Sequence, residues 1–104
     1  MVLTVYWSQI AEDRLDDIFN YYKLKAGKST AVKLVNGIVD QTIDLEKNPR
    51  LGQKEELLAE RIQEFRFLIY KHYKIIYWIN KHQNRIEIAN IFDCRQNPVK
   101  IHEV

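Results

Sequence analysis

Apolar residues recur along this chain at two periods, close to helical in the first half and two in the second. Residues 2–6 form a short β-branched and aromatic run, read as a first strand. Ser8 follows as an N-cap, with Glu12, Asp13, Asp16 and Asp17 placed to favour the positive end of a helix. Ala11, Leu15, Ile18 and Tyr22, with Phe19 beside them, then give one buried helical stripe that Gly27 terminates. Ser29 is the expected cap of a second helix over residues 30–47, in which Ala31, Val35, Ile38, Thr42 and Leu45 face the core. Val32, Leu34, Val39 and Ile43 widen its apolar arc, and Gly37 marks a close approach of the first helix. Asn48-Pro49 closes this αα-hairpin, leaving residues 50–60 as a connecting loop with Glu55-Glu56 as a solvated edge.

From Arg61 onward the period is two. In residues 65–70, Phe65, Phe67 and Ile69 oppose Arg66, Leu68 and Tyr70, and Lys71-His72 is a tight turn. In residues 73–80, Tyr73, Ile75, Tyr77 and Ile79 oppose Lys74, Ile76, Trp78 and Asn80, with a second hairpin loop over residues 81–84. In residues 85–92 and on to Asp93, Ile86, Ile88, Asn90 and Phe92 oppose Glu87, Ala89, Ile91 and Asp93. That run stops at Asp93-Cys94-Arg95-Gln96-Asn97-Pro98, a polar cluster at the sheet rim where Pro98 ends ladder pairing. The predicted fold is α+β with the order β-α-α-β-β-β. A helical hairpin packs on a small, mainly antiparallel sheet in a single domain over residues 1–104. Because the strands are apolar on both faces, something is expected to cover the second one.

Composition narrows the function classes. The 104 residues carry 16 basic and 14 acidic side chains, and a net charge of +2 does not by itself imply nucleic-acid binding. Residues 1–60 hold eight basic against ten acidic side chains, whereas residues 61–104 hold eight against four, so the positive excess belongs to the sheet. The one cysteine, Cys94, allows no internal disulfide, which fits a reducing cytoplasmic setting, and it is more simply a packed small residue than a nucleophile. Neither a secretory segment nor a membrane span is read from the sequence. A phosphate-binding glycine loop, a zinc ligand set and a nucleophile elbow are all missing from it, so no metal or cofactor is expected; His72, His82 and His102 read as solvated loop or tail residues.

The cationic side chains are the better candidates. Arg61 and Arg66 lie on or beside one strand, Lys74 on its neighbour and Arg95 at the end of the third, where they could converge on one rim to hold phosphates or an acidic protein segment. A solvated basic rim is the plainer alternative. Tyr70, Tyr73 and Tyr77 have rings suited to stacking on bases, yet at period two in a strand such rings more often serve a core or an interface.

The ordered fragments Ala11-x-x-x-Leu15-x-x-Ile18-x-x-Tyr21-Tyr22, Pro49-x-x-Gly52, Phe65-Arg66-Phe67-Leu68, Tyr73-Lys74-Ile75-Ile76-Tyr77 and Arg95-Gln96-x-Pro98 span nearly the whole chain. Together they resemble the RelE/ParE superfamily of type II toxins. The resemblance implies a bacterial growth inhibitor of the plasmid-stabilisation type, neutralised by a cognate antitoxin in a toxin-antitoxin hetero-oligomer. The antitoxin is expected to cover apolar sheet or helix surface, with Tyr70, Tyr73 and Trp78 as the candidate contacts. Its folding on binding would offset the ordering entropy through buried area.

Two mechanisms coexist in that superfamily. RelE-like members cut mRNA on the ribosome, where basic groups stabilise the phosphorane and another group moves the 2′-hydroxyl proton. ParE-like members trap DNA gyrase and cleave nothing. The acidic loop Gln53-Lys54-Glu55-Glu56-Leu57-Leu58-Ala59-Glu60 is a poor fit to an RNA backbone. The short stretch from Pro98 to Val104 is expected to leave no room for a terminal helix bearing a catalytic tyrosine. The ParE-like reading is therefore favoured, with Arg66, Lys74, Arg95 and Gln96 as candidate target contacts. The alternative is a ribosome-dependent endoribonuclease, with Arg61, Arg66 and Arg95 as the catalytic candidates. Arg66 and Arg95 serving only to hold the sheet's end, by hydrogen bonding to Asp93 or the backbone, is a third possibility.

Overall fold

The computed structural model describes residues 3–95. Strand β1 (Thr4–Trp7) leads into helix α1 (Gln9–Ala26), and helix α2 (Lys28–Ile43) follows, extended by a 3-10 turn at Asp44–Glu46. Next come a two-residue strand β2 (Gln53–Lys54), a second 3-10 turn at Glu56–Leu58, and strands β3 (Arg66–Tyr70), β4 (Tyr73–Asn80) and β5 (Arg85–Asp93). Among the described residues they form a five-stranded sheet in the order β1-β5-β4-β3-β2. β1 runs parallel to β5 and the other neighbours are antiparallel.

Local chemistry explains the helix ends. Ser8 Oγ accepts a hydrogen bond from the Ala11 N–H at 3.1 Å and donates to the Ala89 carbonyl at 3.0 Å, so one side chain caps α1 and ties it to β5. Gly27 at φ 96° serves both helices, ending α1 by donating its N–H to the Lys23 carbonyl and starting α2. Only glycine takes that conformation without strain. This moves the start of α2 ahead of Ser29, the cap expected from sequence.

The main core lies between the helices and one face of the sheet. Ala11, Leu34, Ile38, Leu45, Tyr73, Ile75, Tyr77, Ile86, Ile88 and Ile91 are buried in it, and Leu15, Ile18, Tyr22, Leu68, Tyr70 and Ile79 pack against it. Leu34 takes the fully buried place assigned to Val35, which is half-buried. Gly37 makes a close approach, but to Tyr70 on β3 and not to α1: a Cβ there would overlap the Tyr70 ring.

The second face is covered in part by the chain itself. Leu58, from the turn after β2, packs with Phe65 and Ile76, flanked by Phe67, Trp78, Ala89 and Phe92. Strict alternation fails on β5, where a register shift opposite Ile76/Tyr77 pairs Ile76 with Asn90 but Tyr77 with Ile88. The extra residue, Ala89, is a bulge. Beyond it Ile91 joins the main core and Phe92 the second cluster, the reverse of strict alternation counted from Ile86.

Tyr77 anchors the loop that makes this cover possible. Its ring is fully buried, and its hydroxyl donates to the Pro49 carbonyl at 2.8 Å while accepting from the Gly52 N–H at 2.8 Å. Gly52 has no space for a side chain, since a Cβ would sit 2.6 Å from the Phe67 carbonyl oxygen and 2.7 Å from the Tyr77 ring. Tyr77→Phe leaves two inward-facing backbone groups without their partner and is expected to cost about 1–3 kcal/mol. Gly52→Ala is expected to cost a similar amount, about 1–3 kcal/mol, by overpacking. The double variant should fall short of the sum because both changes disrupt one site. Urea denaturation checks all three, and full additivity would contradict the shared anchor.

Candidate functional site

In an extended chain, residues i and i+2 project to the same side, so a carboxylate two positions from a cation can reach it. Three of the sheet's arginines are held this way. Arg66, at the start of β3, has its Nε 3.0 Å and its Nη2 2.9 Å from Glu64 Oε2, and its Nη1 donates to the Gly52 carbonyl at 2.9 Å. The guanidinium holds the Glu64 carboxyl below its usual range. Arg85 pairs with Glu87, which also accepts from Asn80, and stacks over the Tyr6 ring at 3.9 Å. Arg95 forms a fork with Asp93: Nη2 to Oδ2 at 2.7 Å, Nε to Oδ1 at 3.0 Å, with the backbone N–H adding a bond to Oδ1 at 2.9 Å.

Lys74 finds its partner across the sheet. Its Nζ lies 2.7 Å from Glu55 Oε2 and 4.3 Å from the centre of the Phe67 ring. Glu55 is only 5 % exposed, and its other oxygen accepts from the Leu57 N–H. The solvated edge expected at Glu55-Glu56 is thus half wrong: Glu56 is exposed, whereas Glu55 is a buried ion-pair partner and a turn cap.

The nominated cations do not gather. Arg66 projects with Tyr77 toward the helix side of the sheet, whereas Lys74 lies on the opposite side, and Arg95 closes the far end of β5. The Arg95 side chain is 67 % exposed, against 22 % for Lys74 and 12 % for Arg66. Arg61 is exposed in the loop before β3, and Gln96 lies outside the described residues. Of the aromatic candidates, Tyr70 and Tyr73 face one another across β3 and β4 on the main-core side, with Tyr70 beside Gly37, whereas Trp78 packs on the second face. His72 and Cys94 meet at the β4–β5 end, where the Cys94 N–H donates to the His72 carbonyl at 2.7 Å, and Cys94 is exposed.

Around Arg95 the fold makes a groove of about 580 Å³ between α1 and the end of β5, lined on one side by Ile18, Tyr21 and Tyr22 and on the other by Tyr73, Ile91 and Phe92. His72 borders this end, its Nε2 3.4 Å from the Tyr22 hydroxyl and 4.0 Å from Asp93 Oδ2. Burial, reinforced by the neighbouring Tyr22 hydroxyl, pushes the Tyr73 phenol well above the usual tyrosine range, so it stays protonated. Such a phenol is a poor proton acceptor. Among the described residues, no group of three or more His, Cys, Asp and Glu side chains is placed to hold a metal ion, and no helix is long and apolar enough to cross a membrane.

Residues 5–98 match the model of the family described as "ParE toxin of type II toxin-antitoxin system, parDE". The chain belongs to the ParE toxin family. Its fold is shared with a solved structure titled "Chromosomal ParDE TA system from P. aeruginosa", at a TM-score of 0.73 and 22 % identity over 88 % of this chain and 96 % of that one. No curated protein matches the sequence. The chain is thus the toxin component of a type II toxin-antitoxin system, and membership in this family implies a cognate antitoxin.

Sequence reasoning nominated the toxin's cations and offered Asp93 or the backbone as partners of Arg66 and Arg95; the structure has the Asp93 fork and the Gly52 carbonyl in those places, while Glu64 and Glu55 were missed. The i, i+2 spacings of Glu64 to Arg66, Arg85 to Glu87 and Asp93 to Arg95 were the available signal. Nothing local announced that Glu55 would reach Lys74. The Arg95 hydrogen bonds hold the Asp93 carboxyl down at about 2, against an ordinary 3.8. A carboxyl depressed on folding contributes stability above its unfolded pKa and loses it as pH falls through the folded value. The contribution should therefore be complete above pH 4 and fade toward pH 2. Denaturation midpoints measured from pH 5 to 2 should fall less steeply for Asp93→Asn than for the native chain, and identical slopes would remove Asp93 from the acid response.

Proposed function

We propose that this toxin arrests growth by binding DNA gyrase in the cytoplasm without cutting nucleic acid, and that its cognate antitoxin neutralises it. The observation that carries this reading is the pairing of Arg66, Lys74, Arg85 and Arg95 with Glu64, Glu55, Glu87 and Asp93. Cleavage at a 2′-hydroxyl needs cations whose field falls on the phosphorane, together with a group that takes up a proton. A cation held by its own carboxylate offers little net field to a phosphate. Tyr73, protonated and buried, supplies no base.

Among the nominated side chains, Arg95 is the proposed target contact, because it is the most exposed of the paired sheet cations and stands at the mouth of the groove. Arg66 and Lys74 are assigned to the scaffold. The groove walls, with the partly exposed Phe92 and the half-exposed Tyr21, offer an antitoxin segment apolar surface to cover.

Induced expression without antitoxin, followed by separate labelling of DNA and protein synthesis, tests the reading in cells. DNA synthesis is expected to stop first. Purified toxin should block supercoiling by gyrase and leave ribosome-bound message intact. Arg95→Ala should fold normally by circular dichroism and need roughly tenfold more protein for the same block, as for loss of a charged interface contact. If translation stops first and message is cut on purified ribosomes, the chain is a RelE-like endoribonuclease. Absence of any growth arrest would leave a plain interaction module.

A further inference from the structure

A second charged region lies away from the paired cations of the sheet. Residues 18–39 hold four lysines and no aspartate or glutamate, and residues 65–86 hold Arg66, Lys71, Lys74, Lys81 and Arg85, again with no acid. The fold joins parts of both segments. The β3–β4 turn meets the helical hairpin through Tyr22 and His72, and two grooves of about 660 Å³ and 470 Å³ share Lys33 and Tyr70 as a common wall. Lys28 lines the first and Lys71 the second. All three lysines are exposed, and none forms an ion pair with a carboxylate among the described residues. The lone acid on the lining is Asp40, in the first groove.

Several of the other lining side chains carry polar groups. Ser29, Thr30 and the phenols of Tyr22 and Tyr70 offer hydroxyls, while Leu34 belongs to the core, leaving Val32 as the exposed aliphatic side chain of the lining. A docked amphipathic helix needs a row of apolar anchors, which this lining does not present. Point-charge ammonium groups interleaved with hydroxyls suit a phosphodiester backbone, whose contacts position without reading sequence.

We propose that the two adjoining grooves, lined between them by Lys28, Lys33 and Lys71, bind the phosphate backbone of duplex DNA, independently of sequence. On the gyrase reading, the surface would let the toxin engage the DNA that the enzyme holds. The two claims nevertheless fail separately. A toxin that blocks gyrase yet binds no DNA overturns this inference alone, and one that binds DNA without touching supercoiling overturns the gyrase reading alone.

The test is fluorescence anisotropy of labelled duplexes of two unrelated sequences with the full chain, titrated across salt. Both duplexes should bind alike, with log affinity falling against log salt at a slope of about −2.7 for three phosphate contacts. Lys28→Gln, Lys33→Gln and Lys71→Asn should each reduce the slope by about one. Asparagine is chosen at position 71 because φ is 54° there, a conformation it tolerates. A control carrying Lys23→Gln, Lys47→Gln and Lys81→Gln removes the same charge elsewhere and should keep the slope. Equal weakening in the control would overturn the site in favour of diffuse attraction. No binding to either duplex, with groove-dependent binding of a polyglutamate peptide, would instead assign the groove to an acidic protein segment.

Discussion

The hydroxyl of Tyr77 is the contact on which the arrangement of this toxin depends. The ring fills the main core, so the hydroxyl and the backbone groups of Pro49 and Gly52 that it meets must satisfy one another. Fixing Gly52 brings the chain beside β3, where Gln53 and Lys54 pair as β2 and the Gly52 carbonyl takes the Arg66 guanidinium. From there Glu55 reaches Lys74 and Leu58 drops onto the second face. A loop that reads as a plain connection thus closes one edge of the sheet and buries apolar surface that would otherwise invite association.

The same geometry sets the electrostatics. Extended backbone places cation and carboxylate on one side at i, i+2, as at Arg85 and Glu87 within β5; the same spacing pairs Arg66 with Glu64 just before β3 and Arg95 with Asp93 across the turn that ends β5. These three arginines are therefore neutralised locally, and the one most exposed among them is Arg95, beside an aromatic groove. Among the described residues, Lys28, Lys33 and Lys71 of the hairpin tip and the β3–β4 turn have no carboxylate partner, so that end presents positive charge outward. Short-range neutralisation over the sheet, with an open basic groove beside it, suits a protein that binds and holds.

Much of this fold was legible in sequence because periodicity reports which face is buried. The stripe at Ala11, Leu15, Ile18 and Tyr22, the Ser8 cap and β4 at Tyr73–Asn80 follow from spacing alone. What escaped was set by tertiary contact. A two-residue strand has no period to detect, the Ala89 bulge shifts alternation without a glycine to mark it, and the space at Gly37 faces Tyr70, remote in sequence. At the candidate site the residue types were visible, and Asp93 was legible as a partner for Arg95, whereas the carboxylates of Glu64 and Glu55 were not legible as partners for Arg66 and Lys74. Arg66 looked like a ligand for phosphate because Glu64 and Gly52 could not be placed beside it, and the burial of Glu55 depends on the Tyr77 anchor.

Lys74 and Glu55, on this reading, serve the scaffold while the toxic surface lies elsewhere. The most direct measurement is growth arrest by the paired variant Lys74→Met/Glu55→Gln, which removes both charges, keeps the aliphatic contact over Phe67 and preserves the acceptor for the Leu57 N–H. Arrest equal to that of the native toxin at matched expression is the result expected. A variant that folds with the native circular dichroism spectrum yet no longer arrests growth would place Lys74 in the working surface and contradict the account.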